Sequence, residues 1–186
     1  MRVLGIDPGL GRTGIALVEG APGRLSLEHA SRLDTVPQTS QAVRLANLYE
    51  IVLSAVRDLR PDVAALEQLF LSTNRRTAMR VSEARGVILC ALGQCRVQVV
   101  EYTPNQVKQA VCGHGAARKP QVARMVLQIL GRTIAEDDVA DACAIAVCHH
   151  HRGSLLTQSH RARAGGATPL DIAVSRARAR LQAITH

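Results

Sequence analysis

Near the start of the chain an uninterrupted apolar run, Val3-Leu4-Gly5-Ile6, ends on a carboxylate, Asp7, followed at once by Pro8-Gly9. A run that is apolar at every position marks a strand buried on both faces, so Arg2–Asp7 reads as a central strand closed by a turn. Two further strands, Gly14–Glu19 and Arg24–Leu33, are separated by Ala21-Pro22-Gly23 and complete a meander of three. From Ser40 to Leu59 the period changes. Val43, Leu45, Leu48, Ile51, Val52, Ala55, Val56 and Leu59 recur at helical spacing, with Thr39 or Ser40 as N-cap. Val63–Leu66 is again wholly apolar, ends on Glu67, and predicts a second central strand. A helix from about Arg75 to Leu92 follows, then a strand over Val97–Tyr102. Thr103 and Pro104 supply the N-cap and first position of the next helix. Gly113 and Gly115 break that helix, Pro120 begins another that runs to Leu130, and Asp137 or Asp138 opens the last core helix. The order β-β-β-α-β-α-β-α-α-α predicts the α/β class, with a mixed sheet led by an antiparallel meander.

Beyond this core the pattern starts afresh. His160–Ala167, rich in Arg, Ala and Gly, reads as a linker. Thr168-Pro169-Leu170-Asp171 has the form of a capping box, and Leu170, Val174, Ala177, Leu181 and Ile184 predict a helix over 169–184. The expected division is a core domain over 1–151 and a basic tail over 152–186. The tail helix is open to two readings, docking on the core or contacting nucleic acid.

With 186 residues, 47% of them apolar, the chain can build one domain with a substantial core and is not disordered throughout. Its net charge of +8 points to nucleic acid or an anionic surface. The tail, with six Arg and one acid (Asp171), carries +5 of that charge and the remainder +3. The absence of a charged leader, and of any apolar run as long as a membrane span, predicts a cytoplasmic protein without a membrane partner. Five cysteines, none in a CxxC pair, predict reduced, partly buried thiols. A zinc site built from Cys143, Cys148 and His149-His150-His151 is the alternative, at a spacing unlike the ordinary zinc patterns.

The chemistry-bearing residues sit at the ends of these elements. Asp7 and Glu67 close the two apolar strands, while Asp138 and Asp141 open the last helix on one face. Four converging carboxylates repel one another unless a cation holds them, and hard divalent ions take oxygen ligands. Paired ions about 4 Å apart clamp a phosphodiester for in-line hydrolysis. Each acid also has a plainer reading: Asp7 as a turn cap or the start of a nucleotide-binding turn, Glu67 as an exposed strand end, the aspartates as helix caps. Spacing leaves Asp137 open beside Asp138, since Asp137 and Asp141 also share a face. Among 23 basic residues only Lys108 and Lys119 are lysine, and two retained ammonium groups before the Asp pair suit a phosphate to be neutralised. Phe70, the one Phe, stands just past Glu67 as a stacking or wedge residue, or as a core contact. Arg75, Arg76, Arg80 and Arg85 either track phosphates or solvate the outer face of their helix.

Taken together, these residues resemble the RuvC-type Holliday-junction resolvases of the RNase H-like superfamily. The likeness covers Arg2 to His151. It rests on Gly5-Ile6-Asp7-Pro8-Gly9, on Glu67-Gln68 followed by Phe70, and on Asn74 with Ala84-Arg85-Gly86. It continues in Gln106-Val107-Lys108-Gln109, in Gly113-x-Gly115 leading to Lys119-Pro120-Gln121-Val122, and in Asp138-x-Ala140-Asp141-Ala142-x-Ala144-Ile145-Ala146. The resemblance selects Asp138 over Asp137. It implies a three-layer fold with a five-stranded mixed sheet, and a homodimer that resolves four-way junction DNA by symmetric nicks in two strands of like polarity. It also implies Mg2+ or Mn2+, two ions per site, held by Asp7, Glu67, Asp138 and Asp141. Lys108 and Lys119 would contact or neutralise the scissile backbone, and Phe70 would stack near the junction centre. Arg75, Arg76, Arg80 and Arg118 join Phe70, Lys108 and Lys119 as the candidate DNA contacts. The RuvA and RuvB branch-migration proteins are the implied partners. The helix from Arg75, with Ala78, Val81, Val87, Ile88 and Leu89, is the candidate dimer interface.

Three rivals remain at this level. They are an ATP-binding domain of the actin or sugar-kinase kind, a DNA-binding protein without catalysis, and a related nuclease acting on RNA–DNA hybrids.

Overall fold

Alternation along two neighbouring strands places the acids. The computed structural model describes residues 1–68 and 75–153, with Arg75 and Arg76 described by backbone alone. Within it β1 (Arg2–Asp7) lies at the centre of a five-stranded sheet of order β3-β2-β1-β4-β5. The antiparallel meander is completed by β2 (Arg12–Ala21) and β3 (Arg24–Asp34), while β4 (Val63–Glu67) and β5 (Gln98–Tyr102) add in parallel on the other side. Successive side chains point to opposite faces of a strand. On β1 and β4, Leu4, Ile6, Ala64 and Leu66 join one core cluster, and Val3, Val63 and Ala65 join the other.

Helices α1 (Gln41–Leu59) and α2 (Arg75–Gln94) cover the first face, packing Leu48, Val52, Val56, Ile88 and Leu92 against it. The second face carries α3 (Pro104–Cys112), α4 (Lys119–Leu130) and α5 (Asp137–Arg152). The result is the expected three-layer α/β fold. Helix α1 is capped by Ser40, whose side chain accepts from the Val43 amide, and α3 by a reciprocal box between Thr103 and Gln106. The element order matches the expectation throughout, with ends shifted by a residue or two; β2 alone begins two residues early and extends two further.

Helix α5 is buried almost all round, from Val139 to His150 with Asp141 the half-exposed exception. Its small residues Ala140, Ala142, Ala144 and Ala146 let it lie directly on the sheet. Two glycines take this close approach: a Cβ on Gly5 would overlap the Ala142 carbonyl oxygen, and one on Gly14 the Asp138 carbonyl oxygen. Since Gly14 is the register partner of Asp7 on β1, the contact brings the first turn of α5 beside Asp7.

Two expectations change. Ile88 is fully buried and Arg85 is buried, so these two face the domain's own core, while Val87 and Leu89 are partly buried against the same cluster. The outward side of α2 instead shows Met79, 65% exposed, with Ser82, Gly86 and Cys90. The zinc alternative also fails among the described residues, where no three His, Cys, Asp or Glu side chains gather around a point. Burial pushes the Cys143 and Cys148 thiols up to about 12, and His149 and His150 turn toward Tyr102 and the Val18 carbonyl. All five cysteines are free, as expected, though Cys90 is exposed rather than partly buried. The predicted tail helix and linker, and Phe70, lie outside the described residues.

Candidate active site

Asp7 and Glu67 follow the paired residues Ile6 and Leu66 on adjacent parallel strands, and alternation turns both toward α5. The turn after Asp7 is held firmly. Thr13 Oγ1 donates to the Gly9 carbonyl at 2.7 Å and accepts from the Gly9 amide at 3.3 Å. Arg44 reaches across from α1 to the Leu10 carbonyl (3.2 Å) and to Thr35 Oγ1 (3.0 Å).

Electrostatics shows the convergence. Asp7 is pushed up to about 7 by burial first, then by the negative charges of Asp141, Glu67 and Asp138, against a smaller opposing pull from Lys119. Glu67 is raised by burial and by Asp141, with Lys108 and Lys119 opposing. The Lys119 ammonium lies 2.8 Å from Asp141 Oδ2 and 3.6 Å from Asp137 Oδ2, and its hydrogen bond to Asp141 shifts its titration upward. Asp137 is 83% exposed at its side chain, and Asp138, not Asp137, stands among the charges that raise Asp7. A cleft of about 260 Å³ is lined by Glu67, Lys108, Lys119 and Asp141 over an apolar floor that includes Val107, Val122 and Ile145. Four of the six residues expected to carry the chemistry share this cleft, and Asp7 and Asp138 adjoin it through the charge coupling of Asp7.

An all-carboxylate donor set around a proton-hungry aspartate is what a hard divalent cation answers, and in chemistry and charge the residues fit one. In this conformation they are not drawn onto a single point, and Lys119 supplies the cation at Asp141.

The remaining DNA-contact expectations divide. Arg80 is exposed and lines a second, larger hollow beside Asp138 and Lys119. Arg118 is exposed at the N-cap of α4, where its amide donates to Gln121 Oε1 at 2.8 Å, and it lines neither hollow. For Arg75 and Arg76 the structure gives a place at the start of α2 and nothing of the side chains.

Arg85 is the residue the sequence reading misplaced. Its guanidinium, 11% exposed, donates to the Glu67 carbonyl oxygen at 2.9 Å and pairs with the Glu101 carboxylate. The Gln68 amide donates to the Tyr102 carbonyl at 2.8 Å, so the end of β4 is fastened from both sides. Helical period carried the signal, because Arg85 stands beside Ala84 and three residues before Ile88, both inward.

The sheet order, the three layers and the acids at adjacent strand ends define an RNase H-like domain. Residues 3–149 match the family model described as crossover junction endodeoxyribonuclease RuvC. A protein of that name from Syntrophomonas wolfei is 41% identical over 169 residues, covering 89% of this chain and 98% of the relative. Its namesake in Caldicellulosiruptor saccharolyticus is 43% identical over 152 residues, 80% and 92% of the two chains. The structure of T. thermophilus RuvC in complex with Holliday junction substrate superposes with a TM-score of 0.79 at 36% identity, covering 84% of this chain and 97% of that one. This chain belongs to the RuvC family. The yeast mitochondrial Holliday junction resolvase Ydc2, at 12% identity and a TM-score of 0.62, shares the fold.

Proposed function

We propose that this protein is a crossover junction endodeoxyribonuclease that resolves four-way DNA junctions. It nicks two strands of like polarity symmetrically, in homologous recombination and repair, and leaves 5′-phosphate and 3′-hydroxyl ends. The observation that carries the reading is the electrostatic coupling of Asp7 to Glu67, Asp138 and Asp141, beside a cleft that Glu67 and Asp141 share with Lys108 and Lys119, in a chain alike to RuvC proteins over nearly its whole length.

Asp7, Glu67, Asp138 and Asp141 would hold the divalent ions, Mg2+ or Mn2+ and two per site. When bound, these supply an activated water and offset charge on the leaving oxygen. The chain's own part is placement and charge. Strands β1 and β4 fix Asp7 and Glu67 side by side, Arg85 anchors the Glu67 backbone, and α5 sets Asp138 and Asp141 over them. The Lys119 ammonium, kept charged by Asp141, and Lys108 across the cleft neutralise the phosphate as it gains charge. Residues 1–151 form the nuclease domain and 152–186 a basic accessory tail.

The working unit is a homodimer, whose twofold axis suits the symmetry of a junction, and it acts with RuvA and RuvB in the cytoplasm. No helix among the described residues is long and apolar enough to cross a membrane. The test is strand cleavage of a labelled synthetic four-way junction, with and without Mg2+ or Mn2+, beside a linear duplex and an RNA–DNA hybrid. Paired, metal-dependent nicks confined to the junction are expected. Cleavage of the hybrid instead would overturn the substrate, and tight junction binding with no cleavage under either ion would overturn the enzyme.

A further inference from the structure

Beside the catalytic cleft, and sharing Lys119 with it, opens a hollow of about 770 Å³. Its walls come from separate parts of the fold: Gly9 and Arg12 at the β1–β2 turn, Arg32 on β3, Arg44 on α1 and Arg80 on α2. Glu136, Asp137 and Asp138 form the side nearest the carboxylates. The size is that of a ligand-binding cleft.

The four arginines are not alike. Arg44 is spent on the Leu10 carbonyl and Thr35, as described above, and braces the turn. Arg32 pairs with Asp34 at 3.0 Å and lies 3.8 Å from Glu136. Arg12 and Arg80 are exposed and, among the described residues, their guanidinium groups make neither a hydrogen bond nor an ion pair. Two uncommitted guanidinium groups on different elements are thus brought to one hollow, where the other charges, Arg32, Arg44 and Lys119 against Glu136, Asp137 and Asp138, balance one another. Like charges gathered in this way suit an anion, and the planar guanidinium fork matches a phosphate diester in two-point contact.

We propose that this hollow is a second phosphate subsite, in which Arg12 and Arg80 hold a neighbouring phosphodiester of the strand being cut. The inference rests on the nuclease reading above. A strand entering by Lys108 and Glu67 passes Lys119, which lines both cavities, and continues to Arg12 and Arg80. Gripping the next phosphate fixes which diester lies over the carboxylates, so the subsite sets the register of cleavage as well as adding affinity.

The experiment compares the wild-type protein with Arg12→Gln, Arg80→Gln and the double variant, on junctions carrying one neutral methylphosphonate at successive positions of the cleaved strand. Both arginines are exposed, so all variants are expected to melt with the wild type, which a thermal scan checks. Each substitution should lower junction affinity and make the slope of log K against log salt shallower by about one. One methylphosphonate position flanking the scissile bond should weaken wild-type binding several-fold and have little further effect in the double variant. An unchanged salt slope in the double variant, or a methylphosphonate penalty equal in both proteins at every position, would sink the subsite. A penalty that vanishes only at a phosphate of another strand would overturn the strand assignment. Cleavage by the wild-type protein separates the two readings: if it cuts no junction with Mg2+ or Mn2+, the nuclease reading itself has failed, whatever the slopes.

Discussion

Asp7→Asn should abolish metal-dependent cleavage and, in the metal-free protein, stabilise the fold. The Asp7 carboxyl rises from 3.8 to about 7 on folding because it is buried among three other negative charges. At about 1.4 kcal/mol per pH unit this is a penalty of ~4 kcal/mol against the folded state once the group is ionised. The sign runs opposite to that of a salt-bridged acid. Below 3.8 the group is protonated in both states and costs nothing. Between 3.8 and 7 the unfolded chain releases its proton first, so stability falls as pH rises, and above 7 the loss is complete. Asparagine removes the charge at every pH. Its amide needs a hydrogen-bond partner in the same half-buried place, which takes back on the order of 1–2 kcal/mol and leaves a net gain of ~2–3 kcal/mol at pH 8.

The assay is urea unfolding in EDTA at pH 4, 6 and 8, repeated at pH 8 with Mg2+. The variant should match or fall slightly below the wild type at pH 4 and exceed it at pH 8. Mg2+ should then stabilise the wild type and leave the variant nearly unchanged, since a ligand that binds only the folded state adds stability in proportion to its affinity. An advantage of the same size at pH 4 and pH 8 would refute the electrostatic argument. Equal stabilisation of both proteins by Mg2+ would refute Asp7 as a ligand.

Arg85→Ala strips the Glu67 carbonyl of its donor and leaves Glu101 unpaired. A stability loss of ~1–3 kcal/mol is expected, with the cleavage rate falling more than junction affinity at temperatures where the variant is folded. A normal rate in the folded variant would reduce Arg85 to a structural role, and partial rescue by Arg85→Lys would support positioning. Gly14→Ala forces a methyl into the Asp138 carbonyl and should lower the melting temperature and cleavage together, whereas Gly11→Ala, whose nearest neighbour would be Arg44 Nη2 at 3.7 Å, should be tolerated; equal melting of the two would overturn the close-packing argument. His149, fully buried with Nδ1 2.8 Å from the Tyr102 hydroxyl, is lowered to about 4 chiefly by burial. The unfolded chain takes up that proton near 6.5, so this contribution is intact above pH 6.5 and is lost as pH falls toward 4. At pH 4.5 the wild type should have lost about 2–3 kcal/mol that His149→Phe does not lose, and parallel pH curves in urea unfolding would count against it.

What was legible in the sequence shares one physical signature. Asp7 and Glu67 stand where alternation continues the inward series Val3, Gly5 and Val63, Ala65, and both belong to strands buried on either face. What stayed hidden was which arginines face inward and which separate elements share a hollow. Arg12, Arg44 and Arg80 meet only through the crossing of α1 and α2 over the meander, and spacing along the chain says nothing of that. Arg85 is the instructive miss. Grouped with Arg80 it reads as one more surface cation, yet five residues along a helix turn it well round the axis, onto the stripe of Ala84, Ile88 and Leu92. The same reasoning would have kept Ile88 out of the proposed dimer face. Desolvating an unpartnered charge costs several kcal/mol, so a charged residue at a position its element's own period assigns to the interior needs a specific partner. Arg85 has such partners in the Glu67 carbonyl and the Glu101 carboxylate, whereas Asp7 and Glu67 lie among further carboxylates, which is why both are raised.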